Sequence, residues 1–358
     1  MRIGILNCGG DCPGLNAVIH GVVGAAAAKG WETIGFRDGF EGLLPAGGNY
    51  MFLTPKDTEG ILKMGGTILG TTNKGNFAAK IGEGDIARVP QEIVDRAKKT
   101  LDHLGIGALL VVGGDGSLTT AQQLYEQGWP IIGVPKTIDN DLKATAMTFG
   151  FDSAVSTVVE ALDRLHTTAQ SHKRVMVLEV MGRHAGWIAL WGGMAGAANV
   201  ILLPEIPFSY EKIAEHLKKR EAQGYTSSLV VVAEGAKTPD GHLATIDANT
   251  GGEVRLGGIG EQVAAKIAEL TGKETRCTVL GHVQRGGTPT PLDRILGMRF
   301  GVMAAQLAED GEFGRMVSYQ SYHVGSVPIV EAIDELRLVQ ADTEVVKAAR
   351  AVSVCFGD

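Results

Sequence analysis

Short, mostly apolar runs alternate along this chain with longer segments whose apolar positions recur at helical spacing. Runs 2–6, 108–112, 130–134, 174–180, 229–233 and 275–280 are each five to seven residues long. Most are rich in Val, Leu and Ile without strict alternation, which predicts strands buried on both faces, as in a parallel sheet. Segments 15–29, 90–104, 118–127, 153–171, 259–270 and 293–309 carry the 3.6-residue period, and Gly30 stops the first. A strand, a Gly-Gly-Asp turn and a helix occur at 3–29 and again at 108–127. This echo predicts an α/β doubly wound sheet whose ligands gather at the carboxyl ends of the strands.

The stretch 108–142, ALLVVGGDGSLTTAQQLYEQGWPIIGVPKTIDNDL, concentrates the chemistry. Gly114, Asp115, Gly116 and Ser117 follow one strand, where glycines let backbone amides approach an oxyanion and the helix start favours negative charge. Asp115 suits a magnesium ion bridging phosphates, because that hard cation prefers oxygen ligands. The next strand delivers Lys136, Thr137, Asp139 and Asp141 to the same edge. A phosphate cradle, a metal carboxylate, a lysine and two carboxylates suit phosphoryl transfer onto a hydroxyl. No Gly-Lys-Ser/Thr follows the glycines, so this is not a P-loop. Further along, Arg183, at the strand end Met181-Gly182-Arg183, offers a guanidinium fork for phosphate oxygens. Glu234 at another strand end suits sugar hydroxyls, and His282 with Arg285 forms a basic pair on a glycine turn. Lys74, in a Thr-Asn-Lys loop, is within a glycine-rich stretch and is a candidate phosphate contact.

Composition narrows the class. With 358 residues the chain is long enough for two domains. A formal net charge of −7 argues against nonspecific nucleic-acid binding. The four cysteines, Cys8, Cys12, Cys277 and Cys355, lack metal-ligand spacing and read as reduced thiols of a cytoplasmic protein. No signal peptide is expected at MRIGILNCGG. The uncharged stretch 186–204 contains glycines and Asn199, which predict a buried helix and strand rather than a membrane span.

These residues resemble the 6-phosphofructokinase family over nearly the whole chain. The motifs are GGDCPGLNAVI (9–19), GGTILG (65–70), GGDGS (113–117), P-x-TIDND (135–141), EVMGR (179–183) and TVLGHVQRGG (278–287). The resemblance implies two Rossmann-like three-layer domains with mostly parallel sheets and an active site in the cleft between them. Residues 1–150 plus 284–334 would bind the donor, and 151–283 plus 335–358 the sugar phosphate. It implies phosphorylation of the 1-hydroxyl of fructose 6-phosphate in glycolysis, with Asp139 as general base beside Thr137 and Asp141. Gly10 and Gly114 to Ser117 would hold the donor's phosphates, with Asp115 on Mg2+. Met181, Gly182, Arg183, Glu234, His282 and Arg285 would hold the sugar phosphate. Arg174 and Arg276 match arginines that reach a neighbouring subunit's site, so a homo-oligomer, a tetramer or a dimer, is expected.

Departures from the family pattern set further expectations. Gly116 matches ATP-using members, whereas pyrophosphate users carry Asp there; Lys136 matches the pyrophosphate users. The open space at Gly116 favours ATP as donor, with a reversible pyrophosphate-dependent enzyme as the alternative. Asn73 replaces a donor-site arginine. His20, Gly24, His166, Tyr225 and Ser227 replace basic effector-site residues, which predicts a weak or absent response to ADP and phosphoenolpyruvate. Two other classes compete. A catalytically silent sugar-phosphate sensor would not need a base facing the hydroxyl, and a nicotinamide-dependent dehydrogenase would need G-x-G-x-x-G after the first strand.

Overall fold

The computed structural model describes residues 1–45, 48–72, 74–77, 80–81, 85–247 and 255–358. Numbered along the chain, the strands begin with β1 (Arg2–Asn7), β2 (Glu32–Phe36), β3 (Tyr50–Leu53), β4 (Lys80–Ile81), β5 (Asp85–Ile86), β6 (Ala108–Gly113) and β7 (Ile131–Pro135). They continue with β8 (Val175–Val180), β9 (Val200–Leu202), β10 (Ser228–Ala233), β11 (Thr245–Asp247), β12 (Arg255–Leu256), β13 (Thr275–Val279), β14 (Arg315–Gln320) and β15 (His323–Pro328). The helices are α1 (Leu15–Ala28), α2 (Gln91–Leu104), α3 (Asp115–Glu126), α4 (Phe151–His172), α5 (Trp187–Ala195), α6 (Tyr210–Ala222), α7 (Ile259–Thr271), α8 (Pro291–Asp310), α9 (Ile329–Ile333) and α10 (Glu344–Ala351). The chain forms two compact units, one of Met1–Ile138, Leu142–Ser153 and Arg285–Leu336, the other of Asp139–Asp141, Ala154–Gln284 and Arg337–Asp358.

The first unit is built on a seven-stranded sheet of order β15-β14-β7-β6-β1-β2-β3. Its centre is parallel, and β6 and β7 are buried at every position, as their uninterrupted apolar sequences require. Antiparallel strands close both edges: β3 on β2, and β15 on β14. The sheet is thus mostly parallel, as expected, with antiparallel strands only at its edges. The β14–β15 turn places Ser321 and Tyr322 at φ 49° and 65°, without the Asn-Gly that usually announces such a hairpin. Helices α1 and α8 pack backbone to backbone: a Cβ on Gly21 would lie 2.3 Å from the Met298 carbonyl oxygen, and one on Gly301 2.4 Å from that of Val18.

The second unit carries a four-stranded parallel sheet of order β13-β8-β10-β9. Val177, Val200, Val230, Ile213 and Ile267 belong to its buried core. The uncharged 186–204 stretch becomes the nine-residue α5 and the strand β9. Among the described residues, no helix is long and apolar enough to cross a membrane.

A buried carboxyl fixes two helix starts in the first unit. The Oδ2 of Asp293 accepts from the Ser153 amide at 2.8 Å and from its hydroxyl at 2.6 Å. Thr290, which caps α8, donates its hydroxyl to Asp152 at 2.6 Å. Burial pushes the Asp293 carboxyl up from 3.8 to about 6, although the Ser153 hydrogen bonds pull it down. The native state therefore holds this proton more tightly than the unfolded chain. That contribution is present below the ordinary value and lost as pH rises through about 6. The stability of the wild-type protein relative to Asp293→Asn should consequently fall between about pH 4 and pH 7, by on the order of 3 kcal/mol at about 1.4 kcal/mol per pKa unit. Denaturant unfolding across that range checks it; a difference independent of pH would contradict it.

Candidate active site

In the first unit's sheet, the chain runs outward from β1 through β2 to β3, and in the other direction from β6 through β7 to β14. The order therefore reverses between β1 and β6, and ligands of open α/β sheets bind beyond the strand ends at such a point. Both glycine turns emerge there. The Cys8 amide donates to the Val112 carbonyl at 2.9 Å, extending the β1–β6 ladder by one residue. The Gly9 amide donates to the Thr72 carbonyl, and the Thr71 hydroxyl returns a bond to the Gly9 carbonyl at 2.7 Å. This pins the loop after GGTILG to the first turn.

Lys136 and Arg285 close on the same turn. Lys136 is 4% exposed, and its Nζ donates to the Gly10 carbonyl at 2.5 Å. The Arg285 guanidinium donates to the Asp11 carbonyl at 3.1 Å. Burial drives the Lys136 ammonium below its usual range, and the positive charge of Arg285 adds to that effect. Cys8 and Cys12 lie beside them with thiols pushed up to about 12 by burial, so they are protonated at neutral pH and unreactive.

Asp115, Gly116 and Ser117 form the first turn of α3, which begins three residues earlier than the periodicity suggests. Gly114, in extended backbone at φ −87° and ψ −167°, precedes them and lets the helix start there. Asp115 thus sits at the positive end of the helix dipole, where a carboxylate is favoured. The side chain of Lys74 is exposed, and its amide is held by the Thr72 hydroxyl at 3.1 Å. Asn73 lies outside the described residues. Beyond β7, the Thr137 carbonyl accepts from the Thr148 hydroxyl at 2.7 Å.

In the second unit, the carboxyl ends of β8, β10 and β13 are neighbours. They bring Met181, Gly182 and Arg183, Glu234, and His282 to one sheet edge. The Glu234 amide donates to the Val180 carbonyl at 2.8 Å, and the Gly235 amide to that of Gly182 at 3.1 Å. A Cβ on Gly235 would lie 1.9 Å from the Arg183 carbonyl oxygen, so only glycine permits this approach. His282 is exposed at the start of the short 3-10 helix Gly281–Arg285. Asp139, Asn140 and Asp141 belong to this unit; Asn140 adopts φ 52°, a left-handed conformation that asparagine tolerates, and the Asp141 carbonyl accepts from the Arg337 amide at 2.8 Å.

Arg285 belongs to the first unit, and Arg174 and Arg276 do not join this edge either. Arg174 immediately precedes β8 and Arg276 pairs with Met176 near the start of β13, so both lie at the other end of the sheet, roughly 15–20 Å of strand away. They share Glu274, with contacts of 2.7 Å from Arg174 and 2.5 Å from Arg276. The hydrogen bond from Arg174 holds the Glu274 carboxyl below its usual range.

Some supporting residues escaped the sequence reading. Gln284 is fully buried; its Oε1 accepts from the Met181 amide at 3.3 Å while its Nε2 donates to the Gly281 carbonyl at 3.0 Å, tying two site turns together. Glu179, 2% exposed, accepts from the Gly260 amide at 2.7 Å and so satisfies the start of α7, which has no side-chain cap of its own.

The phosphofructokinase family model matches residues 2–308. The chain belongs to the phosphofructokinase family. It is 50% identical over 357 residues to an "ATP-dependent 6-phosphofructokinase" of Chloroflexus aggregans, covering 100% of this chain and 98% of that protein. It is also 49% identical over 343 residues to a "Pyrophosphate--fructose 6-phosphate 1-phosphotransferase" of Amycolatopsis methanolica, covering 95% and 96%. Among solved structures, phosphofructokinase from Saccharomyces cerevisiae aligns with a TM-score of 0.80 at 31% identity, over 93% of this chain and 45% of the yeast chain. This member of the family thus spans less than half of the yeast chain. The chain is thus similar over nearly its full length to relatives named for ATP and to relatives named for pyrophosphate.

Proposed function

We propose that the chain is an ATP-dependent 6-phosphofructokinase, a phosphotransferase moving the γ-phosphoryl group of ATP to the 1-hydroxyl of fructose 6-phosphate. The observation that carries the donor is Gly116, which puts no side chain into the first turn of α3 between Asp115 and Ser117. Similarity to ATP-dependent relatives over the full chain supports the same reading.

In this reading, backbone amides around Gly10 and Gly114 to Ser117 bind the donor's phosphates. Asp139 takes the hydroxyl proton, with Thr137 and Asp141 orienting the acceptor. Arg183 stabilises charge on the transferring group, and Met181, Gly182, Glu234, His282 and Arg285 hold the sugar phosphate. Among the described residues, no group of three His, Cys, Asp or Glu side chains could hold a metal alone. One hard carboxylate, Asp115, therefore fits a Mg2+ carried mainly by the donor's phosphates. That ion, when bound, neutralises charge on the phosphate oxygens.

Arg174 and Arg276, remote from the other sugar-phosphate residues of their own chain, suit a neighbouring subunit's site, and we place the enzyme in a dimer or tetramer on that ground. A cytoplasmic, glycolytic setting follows from the same reading.

The pyrophosphate-dependent alternative draws on Lys136. Its ammonium already donates to the Gly10 carbonyl, so it also braces the first glycine turn and is compatible with either donor. Initial rates with fructose 6-phosphate and magnesium, comparing ATP with pyrophosphate at matched concentrations, decide between them. Turnover with ATP alone is expected. Turnover with pyrophosphate alone would overturn the donor assignment, and turnover with neither would favour a sugar-phosphate sensor.

A further inference from the structure

Residues beyond Leu336 carry no chemical motif, yet a short piece of them reaches the loop that holds the proposed base. The Arg337 amide donates to the Asp141 carbonyl at 2.8 Å. The carbonyl of Arg337 accepts from the indole Nε1 of Trp187 at 2.8 Å, and its guanidinium stands 4.6 Å above the same ring. Two residues on, the Val339 amide donates to Glu205 at 2.8 Å. Glu205 also accepts from the Gly186 amide at 3.0 Å, at the start of α5. Trp187 is 5% exposed and Val339 1%, so these bonds are shielded from water and a missing partner is not replaced cheaply.

We infer that Arg337–Val339 is a strap that positions the Asp139–Asp141 loop, and that Trp187 and Glu205 are its anchors; the inference rests on the kinase reading above. The strap touches the loop through one backbone carbonyl, and its far side is bound to the helix that follows the Met181-Gly182-Arg183 turn. Two parts of the proposed catalytic apparatus are thereby set at a fixed spacing within the second unit. Neither anchor contacts a reacting atom, so both are positioning residues. A base displaced by a fraction of an ångström loses alignment with the hydroxyl while substrate contacts elsewhere persist, which lowers kcat more than it raises KM.

The test uses Trp187→Phe, which keeps the ring under Arg337 but deletes the donor, and Glu205→Leu against Glu205→Gln, whose amide oxygen still accepts. Trp187→Phe and Glu205→Leu are expected to lower kcat roughly tenfold with KM for fructose 6-phosphate and ATP changed less than about twofold, and Glu205→Gln to recover most of the loss. Hydrogen exchange supplies a readout independent of turnover. Amides at 138–142 should exchange faster in Trp187→Phe, while those of β8 stay as in the wild type. Wild-type kcat in both disruptive variants, or unchanged exchange at 138–142, would overturn the strap. So would faster exchange throughout the second unit, which marks a merely structural role. An inactive wild type would sink the kinase reading instead, and the exchange comparison would then decide the strap alone.

Discussion

Asp139→Asn is expected to lower kcat by about a thousandfold while KM for either substrate moves only a few fold, the range for losing a general base. Asparagine has the same shape and can occupy the same turn, whose left-handed residue is the neighbouring Asn140. The backbone bond from Arg337 to Asp141 does not depend on the side chain at 139. What disappears is the carboxylate that takes the proton from the sugar hydroxyl. Steady-state kinetics in a coupled assay, with thermal unfolding alongside, separate this from misfolding. A loss below about tenfold would remove Asp139 from the role of base, since a general base contributes about a hundredfold or more.

Gly116→Asp is expected to lower kcat/KM for ATP by about a hundredfold, about 2.7 kcal/mol at the transition state, without lowering stability. The two halves of that expectation have different origins. Position 116 lies in the first turn of α3, where a carboxylate interacts favourably with the helix dipole, so the fold tolerates the change. The same turn is the proposed phosphate cradle, where a fixed negative charge and four added heavy atoms oppose a nucleotide triphosphate. Kinetics with ATP and with pyrophosphate distinguish the effects. A uniform loss with both donors would indicate a damaged cradle, and unchanged ATP kinetics would remove the steric argument.

Much of the parallel architecture was legible because burial on both faces leaves an unmistakable apolar run. The cores of β1, β6, β7, β8 and β10 coincide with such runs. The antiparallel edges were not legible: β3 and β15 are only partly buried, so their patterns are mixed. Helix α6, with three buried residues in thirteen, is too polar to announce its period. The placement of Asp139, Arg183 and Glu234 just beyond strand ends was legible because glycines and charges cluster there. Gln284, Glu179 and Trp187 could not, because their roles are hydrogen bonds to backbone groups far away in sequence. The start of α3 at Asp115 also required the backbone, since periodicity begins only where apolar residues do.

The interleaved division of the chain bears on its synthesis. Strand β7 pairs on one side with β6, and its other partner, β14, is made about 180 residues later. While the ribosome is still translating the second unit, the first has an open sheet edge, and the hairpin that ends it has not emerged. The second unit's four-stranded sheet, by contrast, is complete once β13 has appeared, before α8 and β14 exist. Nascent chains stalled after residue 284 should therefore present an adhesive β7 edge, and the chain should be most prone to aggregate in the interval before β14 emerges.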